Sequence, residues 1–161
     1  MAIAYLAIGS NIGDKDANCA EAVARLEKIG HVKVIARSRL YTTKAAGGPP
    51  QESYLNGVLK VSTQIEASEF LRVLKTIEKD MGRDFSKERN HPRIIDLDIL
   101  IYGDIVMDSG ELTIPHPRMH HRSFVLEGMI EIAPDVMHPV LGKTMEELYF
   151  EISSLAGEKP R

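Results

Sequence analysis

An α+β fold is the prediction for this 161-residue chain, and three features of the sequence make it. Short aliphatic and β-branched runs read as strands, two longer stretches carry apolar residues at helical spacing, and glycines stop both of those stretches. The resulting order is βαββαβ, a mainly antiparallel sheet with helices packed on it, followed by C-terminal additions.

Residues 2–8 read as a buried strand, and Gly9-Ser10-Asn11-Ile12-Gly13 as the turn that follows it. A helix over 17–29 places Ala20, Val23, Leu26 and Ile29 on one stripe before Gly30 ends it. Residues 32–39 alternate as a second strand. The stretch 42–53, with Gly47-Gly48-Pro49-Pro50, reads as an irregular loop, and 54–63 as a third strand. A second helix over 67–81 aligns Phe70, Leu71, Leu74, Ile77 and Met81, and Gly82 closes it. After a polar, basic segment, 94–102 reads as a strand too apolar for an edge. This order is the ferredoxin-like split βαβ arrangement, with both helices on one face. A short strand near 105–107, a loop ending at Pro115 and a helix over 124–132 extend it, and 157–161 is expected to fray.

With 43% hydrophobic and 27% charged residues, residues 1–161 read as one domain able to bury its own core. The formal charge of -3 argues against bulk attraction to nucleic acid or to a membrane, so any anion site must be local. Cys19 is the one cysteine, which excludes an internal disulfide and suits a reducing compartment. The apolar start lacks a basic flank and reads as strand rather than signal peptide. No run reaches the roughly 20 apolar residues of a membrane span. A cytoplasmic monomer is the expectation.

Chemistry concentrates in three places. Asp96 and Asp98 interrupt a core-like strand. Alternation puts both on one face, about 6 to 7 Å apart along the strand, where their oxygens can converge on hard cations such as Mg²⁺. Just upstream, the stretch 82–93 brings Arg83, Lys87, Arg89 and Arg93 to the acid pair. Positive charge beside a Mg²⁺ site is what a polyphosphate needs, because phosphoryl transfer depends on alignment and charge stabilisation. A third segment, Pro115-His116-Pro117-Arg118-Met119-His120-His121-Arg122-Ser123-Phe124, reads as a phosphate-facing loop with His116 and Arg122 as donors. Pro117 between His116 and His120, and the lack of HExxH, weigh against zinc. Tyr54 and Asn56 share a strand face, and an aromatic with an amide suits a flat heterocycle. A nucleotidyl transferase built on the same acid pair stays open at this point, as does a non-catalytic nucleic-acid-binding module, although two acids on the strand would repel a phosphate backbone.

The same residues carry a family resemblance that runs nearly end to end. Ala7-Ile8-Gly9-Ser10-Asn11, Tyr54-Leu55-Asn56, Pro92-Arg93-Ile94-Ile95-Asp96-Leu97-Asp98-Ile99 and Pro115-His116-Pro117-Arg118-Met119, leading to Arg122 and Phe124, resemble the 6-hydroxymethyl-7,8-dihydropterin pyrophosphokinases of folate biosynthesis. The resemblance implies ATP and 6-hydroxymethyl-7,8-dihydropterin as partners, with AMP released. It implies two Mg²⁺ ions on Asp96 and Asp98, and Arg83 and Arg93 stabilising the transferred phosphates. Glu78, Arg89, Ile99, Thr113, His116 and Arg122 would complete the nucleotide site. The pterin ring would lie between Tyr54 and Phe124, with Asn56, Asp96 and groups at Thr43 and Ala46 around its edge. Lys44, Ala45, Phe85 and Asn90 depart from the family pattern in the two loops that the resemblance expects to close over substrates.

Overall fold

In a computed structural model of the chain, residues 1–44, 51–82 and 92–155 are described. The first unit is strand β1 (Ala2–Ser10) followed by helix α1 (Lys15–Glu27). Asp14 caps the helix, its carboxylate accepting the Ala17 N–H at 3.1 Å, so α1 begins two residues earlier than its apolar stripe suggests. Strands β2 (Val32–Arg37), β3 (Tyr41–Thr43) and β4 (Tyr54–Thr63) follow, then helix α2 (Ala67–Asp80) and strand β5 (Asp96–Tyr102). A small hairpin of β6 (Met107–Asp108) and β7 (Thr113–Ile114) leads through a 3₁₀ turn to α3 (Ser123–Ile132), and α4 (Met145–Leu155) comes last.

The main sheet is antiparallel throughout, in the order β2-β4-β1-β5, with β3 joined to the beginning of β4. That order is the ferredoxin-like one, and α1 and α2 share a face as expected. Leu26, Phe70 and Leu74 pack there against Leu6, Leu97 and Ile99, all fully or almost fully buried. Each such side chain contributes about 1.5 to 3 kcal/mol by leaving water. The opposite face is covered as well, by α3 and α4, whose Leu126, Met129 and Leu148 meet Tyr5, Val58, Leu100 and Ile101. A bulge adds to this layer: Ile99 pairs with Leu6 and Ile101 with Tyr5, so Leu100 has no partner on β1, and Ile101 joins it on the second face.

Other expected boundaries change as well, β2 ending at Arg37 rather than at 39. Gly9 and Ser10 continue β1 rather than turning, because Gly9 pairs with Asn56 on one side and Asp96 on the other. The stretch expected to be irregular from 42 starts as strand β3, since the first residues of β4 offer it an open edge. Strand β5 starts at Asp96, two residues late, because the Arg93 backbone pairs with Asn11 instead of with β1. The short strand expected over 105–107 lies at Met107–Asp108. Helix α4, which the sequence reading did not place, supplies Leu148 and Tyr149 to the second core layer. No helix of the described residues is long and apolar enough to cross a membrane.

Candidate active site

The facing ends of β1, β4 and β5 build the floor of the site. Gly9 lies between Asn56 and Asp96 in the sheet, and the absence of a side chain there is what leaves room for the Asn56 amide. A Cβ at that position would stand 2.6 Å from Asn56 Oδ1 and 3.5 Å from Tyr54 Cδ1. The amide is turned by β3, its Nδ2 donating to Thr43 Oγ1 at 2.6 Å.

Asp96 and Asp98 project from β5 on the face that α3 covers farther along, while Leu97 and Ile99 point to the α1 and α2 side. Both carboxylates stay partly open to solvent and both meet cations. Arg93 Nη1 lies 3.3 Å from Asp96 Oδ2, and Lys75 Nζ lies 3.8 Å from Asp98 Oδ1. Lys75 also reaches Glu78 Oε2 at 3.0 Å, and the Leu97 N–H donates to that same oxygen at 3.4 Å. Glu78 itself is completely buried between α2 and β5.

Asn11 holds this arrangement together. Its backbone and side chain bracket Arg93: the Asn11 N–H donates to the Arg93 carbonyl at 3.1 Å, and the Arg93 N–H donates to Asn11 Oδ1 at 2.8 Å. Its Nδ2 donates to Gln51 Oε1 at 2.6 Å and to the Glu52 carbonyl at 3.3 Å. One buried amide thereby joins the end of β1 to the approaches of β4 and β5.

The roof comes from the segment before α3. The His116 N–H donates to the Leu100 carbonyl, and its Nδ1 accepts the Arg118 N–H at 3.2 Å, which assigns the proton of the neutral ring to Nε2. Burial, then the nearby guanidinium groups of Arg122 and Arg118, push the His116 pKa down to about 4, against a smaller upward pull from Asp96. The ring is a neutral donor at physiological pH. Arg122 stands at the N-terminal boundary of α3 without a capping side-chain bond, and Phe124 sits in the first turn.

These parts enclose a cavity of about 490 Å³. Of the residues expected to form a site, Thr43, Tyr54, Asn56 and Phe124 line it together with Arg93, Asp96, Asp98, His116 and Arg122. Ile99 and Glu78 do not line it: Ile99 is core on the other face, and Glu78 stands behind β5. Thr113 lines a separate hollow beside β6 and β7. Ala46, Arg83 and Arg89 lie outside the described residues, as do Ala45, Phe85 and Asn90. The sequence reading missed Asn11, Lys75 and Gln51. An asparagine directly after the Gly-Ser end of a strand was the available signal for Asn11; the other two depend on contacts that no local pattern encodes.

The donor set favours a hard cation shared with a ligand. Among the described residues, no three His, Cys, Asp or Glu side chains gather closely enough to hold a metal by themselves. Two adjacent carboxylates in a cavity rimmed by arginines fit Mg²⁺, which keeps waters and takes its remaining oxygens from phosphates. Fold and site together define a small α+β protein equipped to hold a metal-bound polyphosphate beside a flat acceptor.

The comparisons agree on the family. Residues 5–134 match the family described as 7,8-dihydro-6-hydroxymethylpterin-pyrophosphokinase (HPPK), and the chain belongs to it. It is 40% identical over 149 residues to the 2-amino-4-hydroxy-6-hydroxymethyldihydropteridine pyrophosphokinase of Aquifex aeolicus, covering 91% of this chain and 90% of that protein. It is also 40% identical over 152 residues to the folic acid synthesis protein fol1 of Schizosaccharomyces pombe, covering 94% of this chain but only 21% of the yeast protein. Such longer relatives, the Dictyostelium discoideum protein FOL1 among them at 22%, are matched over about a fifth of their length. In a solved structure of an HPPK-DHPS protein in complex with substrates, the similarity covers 98% of this chain and 44% of that one, with a TM-score of 0.74 at 16% identity, a likeness of fold.

Proposed function

We propose that the chain transfers the β,γ-pyrophosphoryl group of ATP to the hydroxymethyl oxygen of 6-hydroxymethyl-7,8-dihydropterin and releases AMP, a step of folate biosynthesis. The observation that carries this reading is that one cavity brings the Asp96 and Asp98 carboxylates and the Arg93 and Arg122 guanidiniums within reach of Tyr54, Asn56 and Phe124. Phosphate chemistry and heterocycle recognition share one space.

In this reading the pterin lies flat between Tyr54 and Phe124, and the Asn56 amide, already oriented by Thr43, pairs with its ring edge. Asp96 and Asp98 hold two Mg²⁺ ions, which when bound neutralise the phosphate oxygens and orient them. Arg93, fixed at its backbone by Asn11, and Arg122 lie against the oxygens that gain negative charge. His116 donates from Nε2 without adding charge of its own. The family resemblance further assigns Arg83 and Arg89 to the phosphates and Ala46 to the pterin; Glu78, Ile99 and Thr113, which do not line the cavity, would act on the nucleotide only from behind β5 or beside it. The pterin hydroxyl oxygen bonds to the β-phosphorus and gives its proton to water as the bond between the β-phosphorus and the α,β-bridging oxygen breaks; that oxygen leaves on AMP. Positioning and charge supply the rate, since effective molarity alone is worth about 7 to 11 kcal/mol in a well-aligned reaction.

Residues 1–161 act as a single domain, and a cytoplasmic monomer fits the composition; light scattering at working concentration tests the oligomeric state. The activity is tested by nucleotide chromatography after incubation with ATP, Mg²⁺ and the pterin alcohol, with pterin-free and EDTA controls. AMP that depends on both pterin and metal, and that disappears in Asp98→Ala, is the expected result. ADP in its place, or pyrophosphate with a nucleotidylated acceptor, overturns the proposal.

A further inference from the structure

At the far end of α3 from Phe124, one carboxylate makes three contacts, one to the first residue of β3 and two to Arg39 just before it. Glu131 Oε2 accepts the Tyr41 hydroxyl at 2.6 Å and the Arg39 N–H at 3.1 Å, and Oε1 accepts Arg39 Nε at 3.2 Å. The Arg39 guanidinium lies 5.7 Å from the Tyr41 ring centre, closing the cluster. Glu131 lies outside the cavity, so it does not touch what the cavity holds.

Its partners sit where the chain needs an anchor. Strand β2 stops at Arg37, and Ser38 bridges the gap to β3: its N–H donates to the Val58 carbonyl, and its Oγ accepts the Val58 N–H at 2.9 Å. Strand β3 is then three residues long, and among the described residues its one neighbour is β4. A strand that short holds its place weakly by ladder bonds alone. Yet its last residue, Thr43, is what orients the Asn56 amide. Helix α3, by contrast, is seated firmly. Gly128 lies so close to β4 that a Cβ there would stand 2.5 Å from Val58 Cγ2. Glu131 therefore ties the weakly held element to the firmly held one.

We propose that Glu131 is a positioning residue: its carboxylate clamps β3 to α3 through Arg39 and Tyr41, and so fixes the spacing between Thr43 and Asn56 on one wall and Phe124 on the other. The helix carries Phe124 and Glu131 seven residues apart, about 10 Å along its axis, and the strand carries Tyr41 and Thr43 about 7 Å apart. Two rigid pieces joined at one end keep their separation at the other. The clamp acts on the acceptor wall and leaves the Asp96, Asp98 and Arg93 side of the cavity alone. This inference rests on the reading of Tyr54, Asn56 and Phe124 as the pterin slot.

The test measures KM for 6-hydroxymethyl-7,8-dihydropterin and for ATP, with melting temperature, in Glu131→Ala, Glu131→Gln, Tyr41→Phe and Asn56→Ala. Loss of charge-assisted bonds to the clamp is expected to raise the pterin KM about tenfold in Glu131→Ala. Tyr41→Phe, which removes a single hydroxyl and preserves the strand, should raise it about threefold. In both, the ATP KM stays within about twofold. Glu131→Gln keeps an oxygen for Tyr41 and the Arg39 N–H and should recover most of the effect. Pterin and ATP KM rising together, or a pterin KM unmoved in Tyr41→Phe, overturns the clamp whatever happens to the stability of Glu131→Ala. The control separates the two failures: if Asn56→Ala also leaves the pterin KM unchanged, the slot itself has been misassigned, whereas a raised value there with normal clamp variants rejects the clamp alone.

Discussion

Replacing Gly9 by alanine asks whether the close approach of β1 to Asn56 matters for the acceptor. The backbone at Gly9 is strand, and it is not one of the glycines with positive φ, so alanine brings no conformational strain. The new methyl is the whole perturbation. It would stand 2.6 Å from Asn56 Oδ1, and since carbon and oxygen ordinarily keep about 3.4 Å, the amide must retreat by about 0.8 Å. That movement breaks the bond from Asn56 Nδ2 to Thr43 Oγ1, worth about 1 kcal/mol. A misplacement of about 1 Å in a substrate-positioning group costs as much as about 100-fold, so kcat/KM for the pterin should fall by about tenfold to about 100-fold. The sheet pairing on both sides of Gly9 is untouched, so the melting temperature should move by less than about 4 °C. The assay is AMP release with pterin varied at saturating ATP, then ATP varied at saturating pterin. A variant whose pterin kinetics stay within about threefold of the parent would refute the argument that this glycine exists to admit the Asn56 amide.

Three further outcomes are expected. Asn11→Ala removes the acceptor of the Arg93 N–H and both amide bonds to 51–52 from a buried position, and should cost about 2 to 3 kcal/mol; an unchanged urea midpoint would show that these bonds contribute nothing. Gly128→Ala drives a methyl into Val58 and should cost about 1 to 3 kcal/mol, with Val58→Ala added to it recovering part of the loss; additive losses would contradict the packing argument. His116, at about 4 in the folded chain against 6.5 as its ordinary value, binds its proton first in the unfolded chain as pH falls. Its contribution therefore weakens stability progressively from about pH 6.5 down to about pH 4 and is constant below that. The His116 ring protons should titrate near 4 by NMR, and His116→Gln should flatten the stability profile in that interval; a ring midpoint near 6.5 would contradict it.

Much of the molecule was written locally. The apolar stripe of α2, Phe70 to Leu74 to Ile77, is a property of helical spacing and needs no partner to be read. The placing of Asp96 and Asp98 on one strand face follows from the period of two, and tertiary structure did not alter it. The fold class followed from the order of these segments. The boundaries were less legible, because caps and pairings set them: Asp14 starts α1 early, and Asn11 keeps Arg93 out of β5.

Alternation and periodicity, which give each segment its type, and the clustering of acids, arginines and aromatics that marks a phosphate and heterocycle site, are thus properties of the chain read locally. Which of these residues meet is set by the packing of the whole chain. Asn11 and Arg93 are 82 positions apart, and Arg39 and Glu131 are 92 apart. The strand β3 exists because β4 leaves an edge for it, and the second core layer exists because α3 and α4 pack on the sheet's other face, where a bulge at Leu100 adds Ile101 to it. A hydrogen bond or a packed pair depends on positions in space, and the local physics of a segment carries no record of what the rest of the chain will bring beside it.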